Sequence, residues 1–110
     1  MLALPGKARL FLYQVPTDMR KGFEGLGAAV DGAFAGELTS GAYFIFLNRP
    51  RNRMKVLYWD GDGLAIWAKR LEKGHFAKRK DNKVLLERRE FFMLLEGITP
   101  RRLQKRYNIS

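Results

Sequence analysis

Two neighbouring carboxylates are the first candidates for chemistry in this chain. Asp60 and Asp62 stand in an Asp-Gly-Asp-Gly run whose spacing resembles the start of a calcium-binding loop. The closing glutamate of such a loop is missing, and no spacing points to a cluster with Asp18, Glu72 or Asp81 as a third carboxylate. Glycine and aspartate are also the residues that tight turns favour. The run therefore predicts a hairpin turn rather than a calcium site or a metal-dependent nuclease.

Other catalytic groups have little support. The chain has one histidine, His75, and no cysteine, so disulfides, thiolate chemistry and cysteine-based zinc sites are excluded. Ser40 and Ser110 lack the neighbours of an activated nucleophile, and the glycines match neither a P-loop nor a dinucleotide-binding motif. An acid–base role for His75 stays open, although a surface or interface position beside Lys73 and Phe76 is favoured. We predict that the protein is not an enzyme and uses no metal or cofactor.

The positive charge of the chain is the strongest feature of its composition. The formal net charge is +10. Residues 1–50 hold five Lys and Arg against four Asp and Glu, whereas residues 51–110 hold sixteen against seven. Such a one-sided excess is typical of nucleic-acid-binding proteins, although a basic protein with solvated surface charge would show it too. A membrane role is not favoured, because no apolar run approaches the roughly 20 residues of a membrane helix.

The basic residues fall at predicted turns and element ends, where a DNA backbone could reach them. Arg20 and Lys21 begin the first predicted helix, where their charge opposes the helix dipole. A phosphate bound there would explain their position, and so would solvent exposure beside Asp18. The candidate DNA contacts are Arg20, Lys21, Arg49, Arg51, Arg53, Lys55, Lys69, Arg70, Lys73, His75, Lys78, Arg79, Lys80, Arg101 and Arg102.

Aromatic residues are concentrated in the strands and allow two interpretations. Trp59, Trp67, Tyr43, Tyr58 and Phe44 could form a stacking surface for unpaired bases, worth about 1–3 kcal/mol per base. Alternatively, one face of the sheet packs on the helices and the other face is partly covered by a partner. Trp59 and Trp67 are the candidate interaction residues in either case.

A β-hairpin must position the aspartates and the basic rows. Its strands are Met54–Trp59 and Leu64–Leu71, in which apolar residues alternate across the Asp-Gly-Asp-Gly turn. Three further strands are predicted at Arg9–Val15, Ala42–Asn48 and, as a short edge strand, Val84–Leu86. Polar basic turns separate them at Asn48–Arg53 and Lys78–Lys83.

Two helices complete the predicted fold. The first begins at Thr17 or Asp18, either of which can cap free backbone N–H groups. The second runs from Glu87 to Glu96 and is stopped by Gly97. The apolar stripe of the first helix is Met19, Phe23, Leu26, Val30 and Phe34. Thr99 and Pro100 could cap one more helical turn.

The order β-α-β-β-β-(β)-α predicts an α+β fold with two main helices against an antiparallel sheet of four to five strands. The length fits one domain, residues 1–110, with a single core.

Four segments of the chain resemble a known family in their order and spacing. They are TDMRKGF (Thr17–Phe23), KVLYWDGDGL (Lys55–Leu64), KRLEKGHF (Lys69–Phe76) and LLEGI (Leu94–Ile98). The chain resembles the TnpB accessory proteins, products of the second reading frame, of the insertion-sequence sixty-six family of bacterial transposable elements. It departs from the family pattern in two places. Pro50 and Asn52 stand in a usually Gly-rich loop, and the segment before the last helix lacks a Trp-Pro pair.

The resemblance implies a bacterial, cytoplasmic accessory protein needed for DNA transposition. Its implied partners are DNA, a separate and larger element-encoded transposase, and a helix-turn-helix accessory protein. Two roles stay open at this point. The protein could bind DNA through its basic turns and act with the transposase. It could instead be an interaction module that docks on the transposase or on itself without binding DNA, with a homo-oligomer as one outcome.

Overall fold

A five-stranded mixed sheet with two helices forms the fold. The computed structural model describes residues 2–79 and 81–97. The elements are β1 (Leu10–Leu12), α1 (Phe23–Ala33), β2 (Tyr43–Leu47), β3 (Arg53–Trp59), β4 (Leu64–Arg70), β5 (Leu85–Leu86) and α2 (Arg88–Glu96). The predicted α+β class and order of elements are confirmed.

The sheet has the strand order β4-β3-β2-β1-β5. Strands β2, β3 and β4 form the predicted antiparallel meander, and β5 pairs antiparallel with β1. One pair, β1 with β2, is parallel, so the sheet is not antiparallel throughout. The reason is the connection, because α1 carries the chain back along the sheet before β2 begins, as parallel strands require.

Each face of the sheet carries one helix. Phe44 and Phe46 of β2 pack with Leu26 and Val30 of α1, while Ile45 lies on the other face. That second face packs against Phe91 and Leu94 of α2, among others. The expectation that the helices share one face and a partner covers the other is therefore wrong. A central strand that is apolar at every position needs cover on both sides, and the two helices supply it.

Helix α1 begins later than the sequence predicts. The backbone N–H of Thr17 donates to the carbonyl oxygen of Leu47 at 2.8 Å, which extends the sheet contact beyond β1. The Asp18 carboxylate then accepts from the backbone N–H of Arg20 at 2.9 Å, so it stabilises a turn rather than a helix start. The helix starts at Phe23, after Gly22. In consequence Phe23, predicted to be in the apolar stripe, is 51% exposed.

Helix α2 has the predicted ends. Glu87 precedes it and forms a capping box with Glu90, whose side chain accepts from the Glu87 backbone N–H at 2.7 Å. Gly97 ends it with φ 72° and ψ 168°. The predicted further turn at Thr99 and Pro100 lies outside the described residues.

The strand directions separate the basic turns from the aspartate turn. Strands β1 and β2 finish at the same end of the sheet, where β3 begins and β4 finishes. We call this end, formed by residues 14–22, 48–53 and 70–79, the basic end. Its segments are joined by backbone hydrogen bonds from Leu71 to Asn52 and from Phe76 to Arg51. The turn Asp60–Gly63, here called the acidic turn, lies at the opposite end.

Candidate nucleic-acid interface

The turn between β2 and β3 presents two arginines to solvent. The side-chain oxygen of Asn48 accepts from the backbone N–H groups of Asn52 at 3.0 Å and Arg53 at 3.1 Å. Arg51 adopts a positive φ of 62° within this turn. These contacts fix the turn backbone and leave Arg49 and Arg53 exposed. A rigid turn holds its cations in place at a lower entropic cost to binding.

An open cleft of about 420 Å³ lies beside this turn. Its charged lining residues are Asp18, Arg20, Arg49 and Arg53. Three guanidinium groups face one carboxylate, so the cleft has a positive balance. Guanidinium groups bind phosphate oxygens with two parallel hydrogen bonds, which makes an anion of this kind the suitable occupant.

Asp18 pairs with Arg20 inside the cleft. The Nε atom of Arg20 lies 3.1 and 3.0 Å from the two carboxylate oxygens, and a terminal nitrogen lies 2.6 Å from one of them. These hydrogen bonds from Arg20 lower the pKa of Asp18 to about 2. The Arg20 side chain is 91% exposed, so the pair is a surface contact that contributes little to stability. The exposed side of the guanidinium stays available to a ligand.

Two arginines face each other across the hairpin. In the β3–β4 ladder Arg53 lies directly opposite Arg70. Like charges in this position destabilise a sheet by a few tenths of a kcal/mol, up to about 1 kcal/mol. Arg70 has a partial partner in Glu72 at 3.3 Å, but both side chains are exposed. A bound phosphate would offset the remaining repulsion.

A second cavity of about 340 Å³ adjoins the first cleft. Its lining includes Arg49, Arg51, Lys78 and Arg79, and Arg49 lines both spaces. The surface from Arg20 through Arg49 to Lys78 is therefore a continuous basic path along this end of the sheet.

Three of the predicted DNA contacts use their charged groups in hydrogen bonds to backbone carbonyl oxygens of the protein itself. Arg51 donates from Nε to the carbonyl oxygen of Phe76 at 3.3 Å and from a terminal nitrogen to that of Ala77. Burial lowers the pKa of Arg51 below its usual value. Lys55 donates to the carbonyl oxygen of Lys21 at 2.8 Å, and Lys69 to that of Leu95 at 3.2 Å. These side chains hold segments together and have fewer donors left for a ligand.

Arg79 belongs to an internal network of ion pairs. It pairs with Glu90 at 2.6 Å and with Asp81 at 3.3 Å, and its side chain is only 18% exposed. Burial acts to lower the pKa of Arg79, but the hydrogen bond and charge of Glu90 and the charge of Asp81 outweigh it and raise the pKa. Lys83 also binds Glu90, at 2.9 Å. Arg79 thus anchors the loop before α2.

The remaining predicted contacts are exposed lysines, one half-buried histidine and three residues outside the described part of the chain. Lys73 and Lys78 are exposed at the basic end, as Lys21 is. His75 is half-buried, and its Nδ1 lies 3.0 Å from the carbonyl oxygen of Phe76. Lys80, Arg101 and Arg102 lie outside the described residues.

The comparison with protein families identifies the chain. A family model described as IS66 Orf2 like protein matches residues 8–105 of the 110. The chain belongs to this family. Membership confirms the resemblance found in the four segments and makes the IS66 Orf2-like chain an accessory protein associated with transposition.

Two relatives of the IS66 Orf2-like chain come from Sinorhizobium fredii (strain NBRC 101917 / NGR234). "Uncharacterized protein y4jC" is 31% identical over 100 residues, which cover 89% of this chain and 86% of the relative. "Uncharacterized protein y4hO" is 29% identical over 107 residues, which cover 96% and 93%. No solved structure matches the chain significantly.

Three of the four segments that carry the family resemblance meet at the basic end. Residues 17–20 of TDMRKGF (Thr17–Phe23) line the first cleft, and KRLEKGHF (Lys69–Phe76) comprises the last two residues of β4 and the loop that follows. The described part of LLEGI, Leu94–Gly97, reaches the same end, because a Cβ added at Gly97 would lie 3.0 Å from Cδ1 of Leu71 and 3.4 Å from the carbonyl oxygen of His75. KVLYWDGDGL (Lys55–Leu64) is β3 with the acidic turn. Three of the four family segments therefore build one surface.

The two tryptophans do not form a single stacking surface. Trp59 pairs with Leu64 on the α1 face, whereas Trp67 pairs with Val56 on the α2 face. Tyr43 stacks on Tyr58 with ring centroids 4.6 Å apart and is buried. Phe44 is fully buried as well. A common platform of these five aromatic residues for unpaired bases is thus excluded by the alternation of the strands.

The acidic turn is held by its backbone. Asp60 donates its N–H to the carbonyl oxygen of Gly63 at 2.7 Å, and Gly61 has a φ of 77°. Asp18, Glu72 and Asp81 lie at or beside the basic end, far from this turn. Among residues 2–79 and 81–97, no three His, Asp or Glu side chains are grouped so that they could hold a metal ion. In the same residues, neither helix is long and apolar enough to cross a membrane.

Sequence reasoning missed the role of Asn48. Its side chain organises the turn that presents the arginines and also donates to the side-chain oxygen of Asn52 at 2.8 Å. The signal was available, because an asparagine at the start of a loop commonly binds backbone N–H groups a few residues further on.

Proposed function

We propose that the protein is a non-catalytic accessory subunit of transposition that binds the DNA backbone through its basic end and acts with a separate transposase. One observation carries this proposal. Arg20, Arg49 and Arg53 line a single open cleft, and Arg49 connects it with a second cavity that Lys78 lines. The repulsion between Arg53 and Arg70, which lie opposite each other in the β3–β4 ladder, lowers the stability of the sheet beside this cleft.

Binding of this kind supplies affinity without reading bases. Arginine and lysine contacts to phosphates release counterions and position the protein on the duplex. Helix α1 carries Glu24 and Asp31 and no basic residue. Helix α2 has two arginines in its first turn but is apolar across its middle, so neither helix is suited to lie along the major groove. Any preference for the ends of an element then comes from DNA shape or from the transposase.

Fluorescence-anisotropy titrations test the proposal. Double- and single-stranded probes, of element-end and of random sequence, are titrated at several salt concentrations. We expect the logarithm of the affinity for duplex DNA to fall linearly with that of salt, by about 0.9 per phosphate contacted. Arg49→Glu should weaken binding to every duplex at least about tenfold and reduce this slope.

Lys7→Glu is the matched control. It changes the charge equally and lies on an exposed turn near Pro5, away from the basic end. If both variants lose the same affinity, net charge rather than this surface controls binding. If the wild-type protein does not bind DNA at low salt, the proposal is wrong.

A docking role is the second candidate. An apolar cavity of about 420 Å³ lies between β4 and α2, lined by Leu2, Trp67, Phe92 and Leu95 with Lys69 and Glu96 at its rim. Large aromatic residues in such pockets are typical anchors of protein interfaces. A folded Trp67→Ala variant should lose co-purification with the transposase while keeping its DNA affinity. Trp59→Ala, on the opposite face, should keep both.

A further inference from the structure

The two edges of the sheet are protected very differently. Edge strands expose unpaired backbone groups and are usually short, charged, bulged or covered. At one edge β5 has two residues. At the other edge β4 has seven, Leu64–Arg70, and pairs with β3 at every position without a bulge. Among the described residues, no strand pairs with the outer side of β4.

The middle of β4 lacks the charges and bulges that usually protect an edge strand from pairing. Its first five residues, Leu64 to Ala68, are uncharged and contain no proline. Leu64, Ala65, Ile66 and Trp67 are all only half-buried. The charges of the strand stand at its far end, at Lys69 and Arg70. An apolar edge of this length is a template for another strand.

From the charges at its two ends, we infer that β4 pairs antiparallel with β4 of a second copy of this chain. A two-fold axis through Ile66 aligns Ile66 with Ile66, Ala65 with Trp67 and Leu64 with Ala68 of the partner copy. Continued past the strand, this register brings Arg70 beside Asp62 in the acidic turn of the other copy. An isologous contact makes each such pair twice.

The uncharged segment Leu64–Ala68 favours this register, because Ile66 is its centre and all five residues then pair with one another. Paired residues must lie on the same face of the sheet. The two-fold axis can therefore move only from one residue to the next, and each such step shifts the pairing by two residues.

A two-fold axis through Trp67 would leave Arg70 opposite Leu64 and place Glu72 opposite Asp62. An axis through Ala65 would pair Arg70 with Asp60 but put Asp62 against the apolar edge at Ala68. In the register through Ile66 the position opposite Glu72 is Asp60, two residues beyond the pair of Arg70 and Asp62. The register through Ile66 also gives Arg70 a carboxylate on the side away from Arg53, the cation that it faces within its own chain.

The dimer has a further consequence. Because the strands run in opposite directions, the two basic ends point to opposite poles. The dimer would thus present two DNA-binding surfaces that face away from each other. That role of the two ends rests on the proposed DNA binding, whereas the dimer itself does not, so the tests of the dimer contain no DNA.

Sedimentation velocity over a dilution series tests the pairing by charge. Arg70→Asp and Asp62→Arg should each raise the dissociation constant of the dimer roughly tenfold, since each creates two like-charge contacts. An equimolar mixture of the two variants should dimerise as well as the wild type, because every contact is again between opposite charges. Lys7→Asp, an exposed residue on the turn before β1, three strands away from β4, is the charge-matched control for Arg70→Asp.

An introduced cysteine tests the register independently. The chain has no cysteine of its own, so Ile66→Cys places a single thiol on the two-fold axis. Directly opposed residues have Cα atoms about 4.5–5.5 Å apart, within disulfide range. The Ala68→Cys thiols would lie four residues out of register, about 13 Å apart along the strands. Mild oxidation should therefore link Ile66→Cys dimers and not Ala68→Cys dimers.

Three results would overturn the inference. A wild-type protein that stays monomeric at the highest concentration excludes it. A dimer that the charge variants leave unchanged must use another surface. A dimer that crosslinks equally at positions 66 and 68, or at neither, has a different register.

Discussion

At the scale of single residues, the structure separates cations that face solvent from cations that hold the chain together. Arg49 and Arg51 stand two positions apart in one turn and look equivalent in the sequence. Arg49 is exposed and lines both basic spaces, whereas Arg51 bonds to the carbonyl oxygens of Phe76 and Ala77. The positive φ of Arg51 accompanies this difference, because the two side chains leave the turn in different directions.

Arg51 should therefore matter for stability and Arg49 should not. We expect Arg51→Ala to lower the free energy of unfolding by about 1–3 kcal/mol, because charged hydrogen bonds to two carbonyl oxygens are lost. Arg51→Gly should be less destabilising, since glycine adopts the φ of 62° without steric cost. Urea unfolding measures both. An Arg49→Ala variant as destabilised as Arg51→Ala would contradict this assignment.

Glu90 predicts how stability depends on pH. The backbone N–H of Glu87 and the side chains of Lys83 and Arg79 lower the pKa of Glu90 from 4.5 to about 2. A carboxylate whose pKa is depressed by folding stabilises the protein above its unfolded pKa. That stabilisation is lost as pH falls from about 4.5 towards 2. Asp18, with a pKa lowered from 3.8 to about 2, acts in the same direction.

Glu90→Gln should remove much of this dependence. We expect the variant to be less stable than the wild type at neutral pH, with the difference shrinking as pH falls from 4.5 towards 2. Thermal unfolding at a series of pH values measures it. Glu24→Gln, on the exposed side of α1, is the control. A constant difference at every pH would show that the charge of Glu90 is not responsible.

At the scale of elements, the ends of the helices follow different rules. Helix α2 is bounded by local signals, a capping box and Gly97. Helix α1 is bounded by a tertiary contact, because the bond from Thr17 to Leu47 keeps the preceding residues extended.

Two glycines, one at the end of α2 and one within α1, should change the stability in opposite directions when they are replaced by alanine. Gly97 has φ 72° and ψ 168°, a region essentially restricted to glycine, and a Cβ there would lie 3.0 Å from Cδ1 of Leu71. Gly97→Ala should cost about 1–3 kcal/mol. Gly32 lies within α1 with no atom within 4 Å of an added Cβ, so Gly32→Ala should stabilise by up to about 1 kcal/mol. Chemical denaturation compares them. Equal effects would contradict the assigned backbone conformations.

At the scale of the whole molecule, charge is distributed along the sheet. The cations gather where β1 and β2 finish, and Asp60 and Asp62 lie at the other end. Such a polar distribution steers a polyanion to one end and turns the other end away from it.

The acidic turn should have no part in metal-dependent chemistry. We expect Asp60→Asn with Asp62→Asn to keep the fold and the duplex affinity, since the backbone holds the turn. Calorimetry with magnesium or manganese should show no binding heat for the wild type. A metal-dependent heat that this double variant abolishes would instead support a catalytic or metal-binding role.

Local patterns in the sequence were sufficient for much of the fold. A continuous apolar run indicated β2, alternating apolar residues indicated β3 and β4, and turn and cap residues indicated the hairpin and the ends of α2. The order of four segments indicated the family, and the excess of Lys and Arg indicated a nucleic-acid-binding surface at the basic turns. These features depend on interactions between residues close in the chain, which composition and spacing encode directly.

The tertiary structure alone decided how those elements are combined. It paired β1 with β2 in parallel, placed one helix on each face and split Trp59 from Trp67. It also bound the charged groups of Arg51, Lys55, Lys69 and Arg79 to carbonyl or carboxylate oxygens of the chain while leaving their neighbours in solvent. Each of these outcomes depends on contacts between residues far apart in the chain, and a cation's sequence position does not state which carbonyl or carboxylate will lie beside it.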